Sequence, residues 1–166
     1  MFMRKQKTIF LNDPFSFKQK ILFFLKKKSR FCFLDSNSNI EQCSLFDYLA
    51  AFGVKKKCNP KKNIFNTFQK FLDVNKDWAF GHFSYDLKND LENLTSKNDD
   101  FFNFDKLNFF IPFYIFLVKN KTLTIIYDDS KSDIDFIYNK ILDQKVTLTK
   151  KSNFSVKPTI SKKKYL

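Results

Sequence analysis

The sequence predicts an α+β fold, antiparallel sheet with helices packed against it. Three observations point there. The apolar runs 109–118 and 123–127 are separated only by Lys119-Asn120-Lys121, which is the spacing of an antiparallel hairpin. Several stretches with helical periodicity follow Asp or Asn, residues suited to open a helix. Short strands and single helices are mixed along the chain rather than strictly alternating. With 166 residues and 43% hydrophobic composition, the chain can bury a real core.

In chain order, Asp13-Pro14 opens a helix, with a carboxylate at the cap and proline at the first helical position. Phe15, Phe17, Ile21, Phe24 and Leu25 recur at helical spacing and carry it to about Lys28. The cluster Lys26-Lys27-Lys28 suits the negative end of the helix dipole. Residues 31–34 read as a buried strand, ended by the turn-forming run 35–39. Residues 45–52 are apolar up to Gly53, and the pattern leaves helix and strand both open. Asn59-Pro60 marks a loop, and Asn63 is placed to cap a helix with Ile64, Phe65, Phe68, Phe71 and Leu72 on one face.

Residues 78–85 read as a strand, followed by an acidic helix over 87–94 capped by Asp86. After the hairpin, 133–142 is amphipathic. The chain then turns polar and basic, and Ser161 stands as a helix cap near its end. The phenylalanine-rich faces are expected to fill the core.

The net charge of +13 invites a nucleic-acid partner, but its make-up argues against one. Of 30 basic residues, 28 are Lys, and arginine stands only at positions 4 and 30. Arginine is the usual reader of bases and phosphates. Lys, Asn, Phe and Ile abound while Gly and Ala are scarce, the imprint of an AT-rich coding sequence. Cys32, Cys43 and Cys58 form no CxxC pair, so disulfide scaffold and zinc site are both poorly supported. Ile9-Phe10-Leu11 is too short for a signal-peptide core, and no run reaches membrane-spanning length. The chain reads as cytoplasmic.

Residues capable of chemistry are few. His82 is the single histidine, with no carboxylate at a spacing that would fix its tautomer. Ser84 lacks the Gly-x-Ser-x-Gly context of a hydrolase nucleophile. Gly81 alone makes no phosphate loop, and Asp86, Asp90 and Glu92 do not converge as metal ligands would. No catalytic residue and no metal ligand is assigned.

The stretch Trp78-Ala-Phe-Gly-His-Phe-Ser-Tyr-Asp-Leu-Lys-Asn-Asp-Leu-Glu-Asn-Leu94 resembles the Gly-Tyr-x-Ser-Tyr-Asp-Leu landmark of chorismate-utilising enzymes. These are component I of anthranilate synthase and of aminodeoxychorismate (para-aminobenzoate) synthase, and the ending Leu-Lys-Asn-x-Leu-Glu is most similar to the latter. His82 stands where tyrosine is commoner. Phe33-Leu34-Asp35-Ser36 is similar to the family's Leu-Leu-Glu-Ser segment, and Cys43-Ser44-Leu45-Phe46-Asp47 to its Ser-Arg-Phe-Asp stretch. Phe109-Phe-Ile-Pro112 resembles its Phe-x-x-Pro strand, and Ser161-Lys-Lys-Lys-Tyr165 the helix that opens the chorismate-binding domain.

The resemblance implies residues 1–150 as the N-terminal domain and 151–166 as a linker and the start of the catalytic domain. Together they would be an incomplete portion of the family fold. It implies a tryptophan pocket at Ser36, Cys43, Ser44, Leu45 and Phe46, with Leu45 in place of the family's arginine. It implies amination of chorismate toward para-aminobenzoate and folate, with magnesium bound in the complete enzyme but no cofactor held by this chain. The implied partners are a glutamine amidotransferase subunit and, if the gene is split, a separate C-terminal chorismate-binding half. Neither a membrane nor a nucleic acid is expected. The catalytic lysine and the magnesium-binding glutamates map to no residue here, so the chain is expected to be inactive alone, with apolar faces and strand edges prone to aggregate. An anthranilate synthase fragment and a stand-alone amino-acid or partner-binding module remain the alternatives.

Overall fold

A computed structural model gives the architecture. It describes residues 4–37, 44–92, 94, 103–128, 130, 133–147, 155 and 157–158. Within them the fold is α+β: an antiparallel sheet of six strands with four α-helices. The elements run β1 (Lys5–Phe10), α1 (Pro14–Leu25), β2 (Phe31–Asp35), β3 (Tyr48–Cys58), α2 (Ile64–Asn75), β4 (Phe80–Phe83), a 3₁₀ turn (Tyr85–Leu87), α3 (Lys88–Glu92), β5 (Leu107–Lys119), β6 (Thr122–Tyr127) and α4 (Ile134–Leu142).

The sheet is ordered β1-β6-β5-β3-β2, with β4 added beside β5. The hairpin is as expected: β5 and β6 pair from Lys119↔Thr122 to Tyr114↔Tyr127, and Asn120 turns the chain at φ 52°. β5 is the spine. It pairs with β3 from Val118 down to Phe109, and its first residues also pair with β4.

Asp13 caps α1 as expected, its carboxylate accepting from Ser16 N at 3.0 Å. The helix ends at Leu25 rather than Lys28, and it buries Phe17, Ile21, Phe24 and Leu25 while Phe15 points outward. Asp133 likewise caps α4, accepting from Asp135 N at 2.8 Å. α1 and α4 seal one face of the sheet over Tyr48, Ala50, Phe52, Tyr114, Phe116, Leu123 and Ile125. A second cluster, Leu49, Ala51, Phe80, Phe110 and Ile115, draws on strands alone. A third joins α2 and the 3₁₀ turn to Cys58 and Leu107.

Several expectations are corrected. β1 is a strand that the sequence pattern does not predict: its Lys-Gln-Lys-Thr start hides an edge strand that pairs with β6. β2 is also an edge strand, not a buried one, and Phe31 and Leu34 are exposed. Residues 45–52 resolve as strand, and β3 continues through Gly53 to Cys58. Gly53 takes φ +74° next to a bulge that leaves Lys55 as the extra residue.

Asn63 is left-handed at φ 48° and makes no side-chain cap, and Phe65 lies off the packed face of α2. The strand expected over 78–85 is only four residues long. Asp86 sits inside the 3₁₀ turn while Ser84 takes the cap position, and α3 stops at Glu92. The phenylalanines split: Phe52 and Phe116 are buried, whereas Phe10, Phe104 and Phe136 are exposed. Ser161, Tyr165 and most of 151–166 lie outside the described residues. No described helix is long and apolar enough to cross a membrane.

Candidate functional site

The landmark stretch lies on β4 and the turn after it. β4 runs so close to β5 that a side chain is impossible at Gly81. A Cβ there would stand 2.1 Å from Asn108 O and 2.6 Å from Phe109 Cα. Phe80 and Phe83, at the two ends of β4, project to opposite sides: Phe80 packs with Phe110, and Phe83 joins Phe68 and Phe109. The backbone then turns, with Ser84 N donating to Lys106 O at 2.9 Å.

His82 pairs across the ladder with Asn108, and its ring meets Phe104 edge-on at 6.2 Å. Ser84 Oγ is buried, with no hydrogen-bond partner among the described residues. No hydrogen bond joins it to His82, so the two form no nucleophile–base pair. Asp90 is engaged by Lys106. Among the described residues no group of three His, Cys, Asp or Glu stands close enough to hold a metal ion.

Beside His82 opens a cleft of about 530 Å³, lined by Ser29 to Phe33 at the start of β2, by Gly81 and His82, and by Asn108 and Phe110. Arg30 spans it, its Nη1 donating to Asn108 Oδ1. The Asn108 amide has one possible orientation, because its Nδ2 donates to Asp105 Oδ2 at 3.0 Å. Asp105 also accepts from Asn59 Nδ2 at 2.7 Å and from Lys61. Lys61, then Asn59, hold its carboxyl below the usual carboxylate range. Burial pushes the Cys32 thiol up, so it stays protonated at neutral pH and is no nucleophile.

Of the residues implied for a tryptophan pocket, Ser36 follows the other end of β2. Ser36 N donates to Asp47 O at 2.9 Å, which ties the end of β2 to the approach to β3. Ser44 Oγ donates to Phe46 O at 2.8 Å, and Lys119 Nζ donates to Ser44 O at 3.0 Å. Phe46 packs on the strand-only cluster, while Leu45 is 87% exposed. Cys43 lies outside the described residues.

Arg30 and Asn108 were not singled out from the sequence. The signal available was arginine in a chain that otherwise writes lysine. No family model, no curated protein and no solved structure matches this chain.

Proposed function

We propose that this chain is the N-terminal part of an aminodeoxychorismate synthase component I, which aminates chorismate toward para-aminobenzoate and folate. The observation that carries the reading is the run from Trp78 to Leu94, similar to the para-aminobenzoate type over its length. Its single glycine stands where the contact with Asn108 O and Phe109 Cα admits no other residue. The α+β sheet, and the bond from Ser36 N to Asp47 O that ties the end of β2 to the residue after Phe46, are compatible with a scaffold role.

Among the described residues His82 meets Phe104 and Asn108 rather than a carboxylate, and burial pushes the Cys32 and Cys58 thiols up. The chorismate-binding half and the glutamine amidotransferase that delivers ammonia are the partners of this reading. Co-expression with a polypeptide carrying the chorismate-binding domain tests it. Co-purification with formation of aminodeoxychorismate from chorismate and ammonia is expected, and the 166-residue chain alone leaves chorismate unchanged. Absence of both association and activity in the mixture would sink the reading.

A further inference from the structure

The Arg30 cleft carries chemistry that the proposed function leaves unused. Lysine fills 28 of the 30 basic positions, so arginine at the other two needs a reason. At Arg4 the reason is a bidentate bond to Asp77 together with two backbone carbonyls. At Arg30 only Nη1 is engaged among the described residues, by Asn108 Oδ1. The remaining N–H groups of the fork belong to the wall of the cleft.

The fork is also held in place. Asp105 fixes the Asn108 amide, and Asn108 fixes Arg30. The negative charge of Asp105 is already matched by Lys61, so it does not cancel the guanidinium. Such a relay keeps a planar donor group oriented before any ligand arrives, which lowers the cost of binding. The side chains that share the Arg30 face are apolar or weakly polar: Cys32 and Phe110, with the exposed His82 ring across from them. A volume of about 530 Å³ lies within the usual range of small-molecule sites.

We propose that this cleft binds a small carboxylate with a planar apolar body, its carboxylate on the Arg30 fork and its ring between Cys32 and His82, on the sheet face that Phe110 shares. Two parallel N–H···O bonds match a carboxylate in geometry and charge. The net charge of +13 draws anions toward the surface, and the fork selects among them. The site is distinct from Ser36 and Ser44, from which the length of β2 separates it, so it stands or falls independently of the proposed function.

Benzoate is the probe, with benzamide as its uncharged match and inorganic phosphate as a plain anion. The full 166-residue chain, isotope-labelled, is titrated with each at low millimolar concentration and followed by NMR. Benzoate is expected to shift the Arg30 Nε, His82 and Asn108 side-chain signals saturably, and benzamide is not. Arg30→Lys keeps the charge but loses the fork, and should weaken benzoate about tenfold. His82→Gln, exposed and remote from the core, should weaken it a few-fold while leaving the urea midpoint unchanged, which separates binding from folding.

Three results overturn the site: no saturable shift with benzoate, equal binding to Arg30→Lys, or phosphate shifts as large as those of benzoate and spread over the lysines.

Discussion

Arg4 and Asp77, 73 residues apart in sequence, meet in a bidentate ion pair: Nε to Oδ1 at 2.6 Å and Nη2 to Oδ2 at 3.0 Å. Their side chains are 8% and 9% exposed. The pair fills a gap in the sheet. β4 and β6 both pair with β5, the one at 107–110 and the other at 114–119. Between them Pro112 and Phe113 present carbonyls, and Arg4 donates to both, at 2.8 and 3.4 Å. Arg4→Ala should therefore destabilise the fold by about 3–5 kcal/mol, the cost of leaving Asp77 buried and uncompensated. Arg4→Lys should recover only part of it, because one ammonium cannot replace the fork. Urea unfolding of both variants measures this, and a loss under about 1 kcal/mol for Arg4→Ala would place the pair with ordinary surface ion pairs.

The two glycines should fail in different ways. Gly81→Ala drives a Cβ into Asn108 O at 2.1 Å, so β4 must move off β5. Hydrogen exchange should rise at residues 80–83 and 107–110, with a stability loss of roughly 1–3 kcal/mol or more. Gly53→Ala meets only side-chain atoms at 3.3 Å and beyond, and its cost is the left-handed backbone at φ +74°. That cost is about 1–2 kcal/mol and leaves β4 protected. Equal exchange at β4 in both variants would show that the close approach does not hold that strand.

Much of this frame was legible in the sequence, and the exceptions have physical causes. α1 announces itself because its cap is local, Asp13 acting three residues on, and α4 because its amphipathic period is; the Asp133 cap of α4 emerges only in the structure. The hairpin announces itself for the same reason. β1 did not, since an edge strand that buries little needs no apolar alternation, and its partner lies more than a hundred residues away. Asn63 is ambiguous in sequence because asparagine both caps helices and tolerates the left-handed region, and here it does the second. Nothing local marks the Arg30–Asn108 bond, whose members are 78 residues apart and meet only once β3 has joined β2 to β5.

Acid should weaken the fold through Asp128. The bulge in β3 makes Lys55 its extra residue, and the Lys55 ammonium reaches the Asp128 carboxylate, with both side chains 13% exposed. Lys55, then Ser130, hold this carboxyl well below the usual range. A carboxyl depressed in the folded state contributes stability above its unfolded pKa of about 3.9. That contribution is lost as pH falls from there toward the folded value. The urea midpoint should therefore be flat near neutrality and drop below about pH 4. Asp128→Asn should lower the neutral plateau and flatten the acid limb. An unchanged acid limb would mean that other carboxylates carry it, Asp105 and Asp35 first among them.

Position 45 offers a gain-of-function test of the tryptophan pocket implied by the resemblance. Leu45 stands where the family has arginine, and it is 87% exposed between Ser44 and Phe46. An exposed leucine can be exchanged for arginine at a stability cost within about 0.5 kcal/mol, so folding does not confuse the result. If the Ser36 and Ser44 end of β2 holds the amino acid, Leu45→Arg adds a charged hydrogen bond to it. That bond should tighten L-tryptophan by about 1.5–3 kcal/mol, roughly ten- to a hundredfold in Kd. Calorimetry on the parent chain and on Leu45→Arg reads the difference directly. The Arg30→Lys variant should leave tryptophan binding unchanged, since Arg30 lies at the opposite end of the strand. Heat that is lost in Arg30→Lys and unaltered in Leu45→Arg would move the amino acid out of the Ser36 turn and into the His82 cleft.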